Sequence, residues 1–153
     1  MLVALVACGN KGSSGKLAMP DRAEFETQAY PVLLRDCGFV ECHGKDGRFL
    51  QIVGPGRTRL SADAGLFEPL PEEIDTTYRS VSAVIDVDDP ENSDLLRKPL
   101  SPKVGGSGHK GVDSYGRDVY ATTSDPDYEA LHSFVLGVAA DLPQWDADWE
   151  QSP

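Results

Sequence analysis

Apolar side chains return at helical intervals in three stretches of the chain. Phe25, Ala29, Val32 and Leu33 share one face of a segment that starts at Asp21, a residue suited to capping, with Glu24 three positions on. Pro31 falls inside that segment; its ring crowds the preceding turn and it carries no N–H, which predicts a kink or two short helices. Tyr78, Val81 and Ile85 predict a second helix within 76–85, while 63–75, with its prolines and scattered acids, reads as loop and Asp86 to Pro90 as a stop. A third helix opens at Ser124 or Asp125 with Pro126, and Tyr128, Leu131, Val135 and Val138 form an apolar stripe that should pack on the first helix. Between the first two, the apolar run from Phe49 breaks at Gly54-Pro55-Gly56, a strong turn signal. The pattern predicts a mostly α fold with long loops.

With 153 residues, the chain is sized for one domain around one core, expected over 21–140. The tail 141–153 is acidic and holds Trp145 and Trp149, which predicts either a fold-back over the domain or a contact for a basic partner. The formal charge of −11 argues against nucleic acid, whose phosphates would be repelled, and suits a basic protein partner. Past the first few residues no apolar run is long enough to span a bilayer.

Candidate chemistry concentrates in Arg35-Asp36-Cys37-Gly38-Phe39-Val40-Glu41-Cys42-His43-Gly44. Two cysteines followed at once by a histidine can hold a haem, with two thioethers on the porphyrin edge and the imidazole on the iron. The usual spacing is C-x-x-C-H and here it is C-x-x-x-x-C-H, so two extra residues must bulge out for both sulfurs to reach one porphyrin. Two other readings stand beside it. A Cys37–Cys42 disulfide would close a small loop in an oxidising compartment. Zinc would take Cys37, Cys42 and His43 but lacks a further nearby cysteine as the fourth ligand.

The amino terminus bears on the compartment. Leu5-Val6-Ala7-Cys8-Gly9, at the end of the apolar run from Leu2, resembles the lipobox of bacterial lipoprotein signal peptides, although no basic segment precedes it. The resemblance implies that 1–8 is a signal-like segment, that Cys8 is the lipidation site, and that 9–20 is a flexible Gly/Ser-rich tether. It places the body in the bacterial periplasm or at the cell surface, where disulfides and covalent haem are both made. It also leaves Cys37 and Cys42 as the only unassigned cysteines.

Further motifs carry a second resemblance. Tyr30-Pro31-Val32-Leu33-Leu34 leading to Cys37 and Cys42-His43-Gly44 resembles the leading helix and haem motif of class I c-type cytochromes. Ser93-Asp94-Leu95-Leu96-Arg97-Lys98-Pro99, the glycine-rich loop around His109, and the Tyr128 to Phe134 segment follow in an order similar to cytochrome c-like domains of planctomycete and myxobacterial exported proteins. The departures are the widened cysteine spacing and Phe134 where tryptophan is commoner. The resemblance runs from Phe25 to Gly137 and implies a small helical domain with long loops around one haem c.

It further implies Cys37 and Cys42 as attachments, His43 as proximal iron ligand, and Arg57 and Arg59 as partners for the haem propionates, against the alternative of surface arginines balancing an acidic body. Met1 and Met19 both precede the haem motif, so methionine is not expected on the sixth position, and His109 is the expected distal ligand. The alternative is an open or water-bound site, which would suggest small-molecule binding or peroxidase-like chemistry. His132 is expected to be a packed or solvated helix histidine. With no Ser/His/Asp or paired-carboxylate constellation, the expected role is electron transfer to a redox partner protein rather than an enzyme of its own. The competing expectation is a haem-free surface lipoprotein with a Cys37–Cys42 disulfide, acting in binding or assembly.

Overall fold

The structure, a computed structural model, describes residues 20–109, 116 and 118–137. Cys8, most of the tether, Met1, Met19, Val138 and the acidic tail lie outside the described residues. Helices are α1 (Arg22–Glu24), continued by a π-helical turn (Phe25–Ala29) into α2 (Tyr30–Asp36), then α3 (Pro71–Ser82), α4 (Asp94–Arg97) and α5 (Pro126–Gly137). Short 3-10 turns occupy Pro90–Asn92 and Pro102–Val104. Among the described residues there is no strand, only an isolated parallel bridge between Leu100 and Tyr120. The expectation of a mostly α protein holds.

The first helix answers the question posed by Pro31. The Asp21 carboxylate accepts from the Glu24 N–H at 2.6 Å and caps α1. The backbone then widens: the Tyr30 N–H reaches back five residues to the Phe25 carbonyl. A π-helical turn loosens the backbone where Pro31 offers no N–H and its ring would strike the carbonyl four residues earlier, so the helix continues as one body instead of breaking.

The second helix differs from its prediction at both ends. It starts at Pro71, inside the stretch read as loop, because a proline at the first helical position loses only an N–H that has no intrahelical partner. Glu73, fully buried, holds that end: its carboxylate accepts from the Leu70 N–H at 3.0 Å and from Arg59 Nε at 2.8 Å. The helix stops at Ser82, short of Ile85, where the Val84 N–H turns back to the Val81 carbonyl. Ile85 is nonetheless in the core.

The core centres on Phe25, whose ring lies 5.2 Å from Tyr78 on α3, 5.6 Å from Tyr30 and 5.8 Å from Phe134 on α5. Burying an aromatic ring of this size contributes about 2–3 kcal/mol. The third helix forms as predicted behind Asp125, whose carboxylate accepts from the Asp127 N–H at 3.0 Å, and Phe134 joins Tyr128, Leu131 and Val135 on its buried face.

An extended segment at 50–53 has no sheet to pair with, and α3 satisfies it instead. Thr77 Oγ1 accepts from the Val53 N–H at 3.2 Å and donates to the Val53 carbonyl at 3.3 Å. One turn further, Ser80 Oγ accepts from the Gln51 N–H at 3.2 Å and donates to the Gln51 carbonyl at 2.6 Å. Two hydroxyls on one helical face thus replace a neighbouring strand, as buried backbone groups require.

Candidate functional site

The segment stitched to α3 orients the central histidine. On its other side the Ile52 N–H donates to the His43 carbonyl at 2.8 Å, and the Leu50 carbonyl lies 3.0 Å from His43 Nδ1. A carbonyl can only accept, so Nδ1 carries the proton and Nε2 is left with its lone pair. A metal-binding imidazole is normally fixed in this way, through its second nitrogen. Burial, set against the Leu50 hydrogen bond and joined by His109 and Arg48, holds His43 below the usual histidine range, so the ring is neutral at pH 7.

The widened cysteine loop is closed by its own backbone. Cys37 sits at the end of α2, where its N–H and that of Gly38 both bond to the Leu33 carbonyl at 2.9 Å. The chain then swings out through Phe39 and Val40, which are 46% and 56% exposed, and returns as the N–H groups of Cys42 and Gly44 both donate to the Phe39 carbonyl, at 2.8 and 2.9 Å. The two additional residues point to solvent, and Cys37, Cys42 and His43 still line one cavity. Gly44 is required by that return, because a Cβ there would lie 2.3 Å from the Gly38 carbonyl oxygen. Cys37 and Cys42 are free thiols, and burial, followed by the neighbouring Asp36 and Cys42, pushes the Cys37 thiol up to about 12, so it remains protonated.

The cavity holds about 300 Å³, at the lower edge of the range for small-molecule and cofactor sites. Its walls include Leu50, Val84, Leu95, Val119 and Leu131, so α4, α5 and the segment after α3 all contribute. His109 enters from the loop that follows the Pro102–Val104 turn, and its ring centre stands 5.8 Å from that of His43 with the planes 52° apart. The loop is fixed upstream by hydrogen bonds from the Gly106 N–H to the Ser101 carbonyl at 3.0 Å and from the Ser107 N–H to the Arg97 carbonyl at 2.8 Å.

The structure brings Cys37, Cys42, His43 and His109 together but leaves Arg57 and Arg59 off the cavity wall. Arg57 donates to the carbonyls of Leu34 and Arg35 at the end of α2, and Arg59 pairs with Glu73. Among the described residues, the cations that line the cavity are Arg48 and Lys98, both exposed, with Asp36 and Asp94 as acidic neighbours. Lys98 stands in the Ser93–Pro99 motif, though nothing in that motif marks it as a cavity residue, and Arg48 belongs to no helical stripe or motif. His132 stays out of the cavity; its Nε2 is 2.9 Å from the Glu91 carboxylate and its ring stacks on Tyr128.

These residues discriminate among the groups the cavity could take. Among the described residues no three of His, Cys, Asp or Glu converge on one point, so the zinc set of Cys37, Cys42 and His43 is not assembled. A porphyrin supplies its own equatorial nitrogens and asks the protein for axial donors alone. The His43 and His109 rings, 5.8 Å apart centre to centre, would supply two imidazole donors of the kind such a group takes. Apolar walls, two thiols and two exposed cations accompany the imidazoles, a set of residues whose chemistry fits a haem. The chain matches no family model, no curated protein and no solved structure.

Proposed function

We propose that the protein is an exported, lipid-anchored monohaem c-type cytochrome that carries electrons to or from a partner protein. The observation that carries this reading is the pairing of His43, its Nδ1 turned onto the Leu50 carbonyl, with His109 across an apolar cavity also lined by Cys37 and Cys42. A bound haem would supply a one-electron couple.

The chain's own residues do the rest. Cys37 and Cys42 would hold the group covalently, and His43 and His109 would bind its iron. Two imidazoles favour oxidised iron more than an imidazole with a thioether does, so a haem held by both would have a low potential. Arg48 and Lys98, on the cavity wall, would pair with propionate carboxylates, and Leu50, Leu95 and Leu131 would keep water from the group. Cys8 is the lipid attachment that tethers this body to a membrane, and a basic surface on the partner suits the charge of −11.

Expression with a cytochrome c maturation system tests the reading. A Soret band, covalent haem stain and a mass increase of one haem are expected, all lost in the Cys37→Ala, Cys42→Ala double variant. A colourless chain with a Cys37–Cys42 disulfide would instead support a haem-free binding or assembly lipoprotein.

A further inference from the structure

The bulge between the two cysteines is held by a residue outside the motif. Gly54, with φ of +152°, passes so close to α2 that a Cβ would stand 2.2 Å from the Tyr30 hydroxyl oxygen. The turn it begins is closed by the Arg57 N–H on the Gly54 carbonyl at 3.0 Å, and delivers Arg57 to the end of α2. There Nε donates to the Leu34 carbonyl and Nη2 to the Arg35 carbonyl at 2.9 Å, both last-turn groups with no intrahelical partner. The same guanidinium lies 4.1 Å over the ring of Phe39, and the Arg57 stem packs on Gly38, where a Cβ would meet Cγ at 3.0 Å. Because the Cys42 and Gly44 N–H groups both close on the Phe39 carbonyl, fixing Phe39 fixes the return of Cys42 and His43.

Resting on the haem reading above, we propose that Arg57 is the positioning residue that makes a C-x-x-x-x-C-H spacing competent for double haem attachment. It clamps the bulge outward against the end of α2, so that Cys37 and Cys42 face the same cavity. Each attachment is the addition of a thiol S–H across a vinyl C=C. One S–C and one C–H bond form, the S–H and π bonds break, and no oxidant is consumed. The geometric demand is only that both sulfurs be within reach at once. Lysine cannot replace Arg57, since it has neither the planar face for Phe39 nor the fork for two carbonyls.

The test combines Arg57→Met and Arg57→Lys with a chain lacking Phe39 and Val40, in which the motif closes to Cys-Gly-Glu-Cys-His. Each is co-expressed with the maturation system, and thioethers are counted from the mass of the haem peptide and the position of the visible α band. The full-length native chain should carry two. Arg57→Met should lower the doubly attached fraction about tenfold, as expected for losing two hydrogen bonds and a stacked cation, with Arg57→Lys close behind. In the shortened chain Arg57→Met should change nothing, because no bulge remains to be held. An equal loss in both backgrounds would mean a general stability role and would overturn the proposal, as would no loss in the native background. Failure of the haem reading is distinct: the native chain then takes no haem at all. A haem-free arm reads the clamp directly, with alkylation of Cys37 in the apo chain about tenfold faster in Arg57→Met; an unchanged rate would overturn the clamp.

Discussion

His43 and His109 line one cavity, ring centres 5.8 Å apart, although one follows α2 and the other lies in a glycine-rich loop beyond α4. On the haem reading, each of the two imidazoles has its own test. His109→Ala should convert a low-spin haem spectrum to high spin while leaving covalent attachment intact, and His43→Ala should reduce haem incorporation itself. A spectrum unchanged by His109→Ala would remove His109 from the iron.

The loop that carries His109 depends on Gly106. A Cβ at that position would stand 1.8 Å from the Leu100 carbonyl oxygen, a backbone atom that cannot swing aside. Gly106→Ala should therefore displace the loop, destabilising the apo chain by about 2 kcal/mol and reproducing the high-spin spectrum of His109→Ala. Urea unfolding and the visible spectrum read the two effects separately.

Thr77 is a structural support for His43 at one remove. Its hydroxyl serves both polar groups of Val53 in a buried site, and that segment presents the Leu50 carbonyl to His43 Nδ1. Thr77→Val keeps the shape and removes the hydroxyl, leaving a buried N–H without its acceptor, at a cost of roughly 1–3 kcal/mol. The check is the denaturant midpoint, with Thr77→Ser as the variant that should restore most of the loss.

Glu73 should set part of the acid limit of folding. Its side chain has 0% exposure and accepts from Arg59, Leu60 and Leu70. Truncation to alanine should cost about 3 kcal/mol, the scale for breaking a buried, hydrogen-bonded charge. Burial raises its pKa, but the Arg59 guanidinium and the two backbone N–H groups outweigh burial and hold it below the ordinary value of 4.5. The folded state thus gives up the proton more readily than the unfolded one. Its contribution is complete above about pH 4.5 and is lost as pH falls through the lower folded value. In Glu73→Gln the stability curve should be flatter on that acid side; an unaltered slope would show that other carboxylates govern it.

Tyr120 gives a further test beside the cavity, through its hydrogen bond to the lining residue Asp36. Its hydroxyl donates to Asp36 Oδ2 at 2.9 Å in a nearly fully buried position. Burial first, then the nearby Cys37 and Asp36, keep the phenol neutral well beyond its usual range. Tyr120→Phe should cost about 1–2 kcal/mol by thermal melting, since Asp36 loses its buried phenol donor and keeps only Arg35. In the native chain, phenolate absorbance of Tyr120 should appear only with alkaline unfolding.

The legible parts of the sequence were those in which local chemistry and tertiary packing agree. Asp21 caps where its spacing to Glu24 indicates, Asp125 and Pro126 open α5, and Phe25, Leu33, Leu131 and Val135 are buried on the faces their periodicity picks out. Pro71 misled because a proline reads as a breaker until the helix after it is known, and Glu73 gave no sign that a charged residue would be buried, because its partner Arg59 lies on another segment. Arg57 and Arg59 were noticed as cations, but which acceptors they meet depends on where the turn at Gly54 sends the chain.

The sequence by itself determined the helical character, the capped ends of the first and last helices, and the residue types of the site: two thiols and an imidazole within seven positions, with a second imidazole downstream. These follow from short-range periodicity and from side-chain chemistry that needs no fold to be recognised. Only the tertiary structure decided that the Phe39–Val40 bulge turns to solvent, that Leu50 selects the His43 tautomer, that Arg48 and Lys98 rather than Arg57 and Arg59 line the cavity, and that His109 comes within reach of His43. Each of those depends on hydrogen bonds or ring contacts whose partners come together only when loops close around a common core, and no spacing along a single chain encodes that closure.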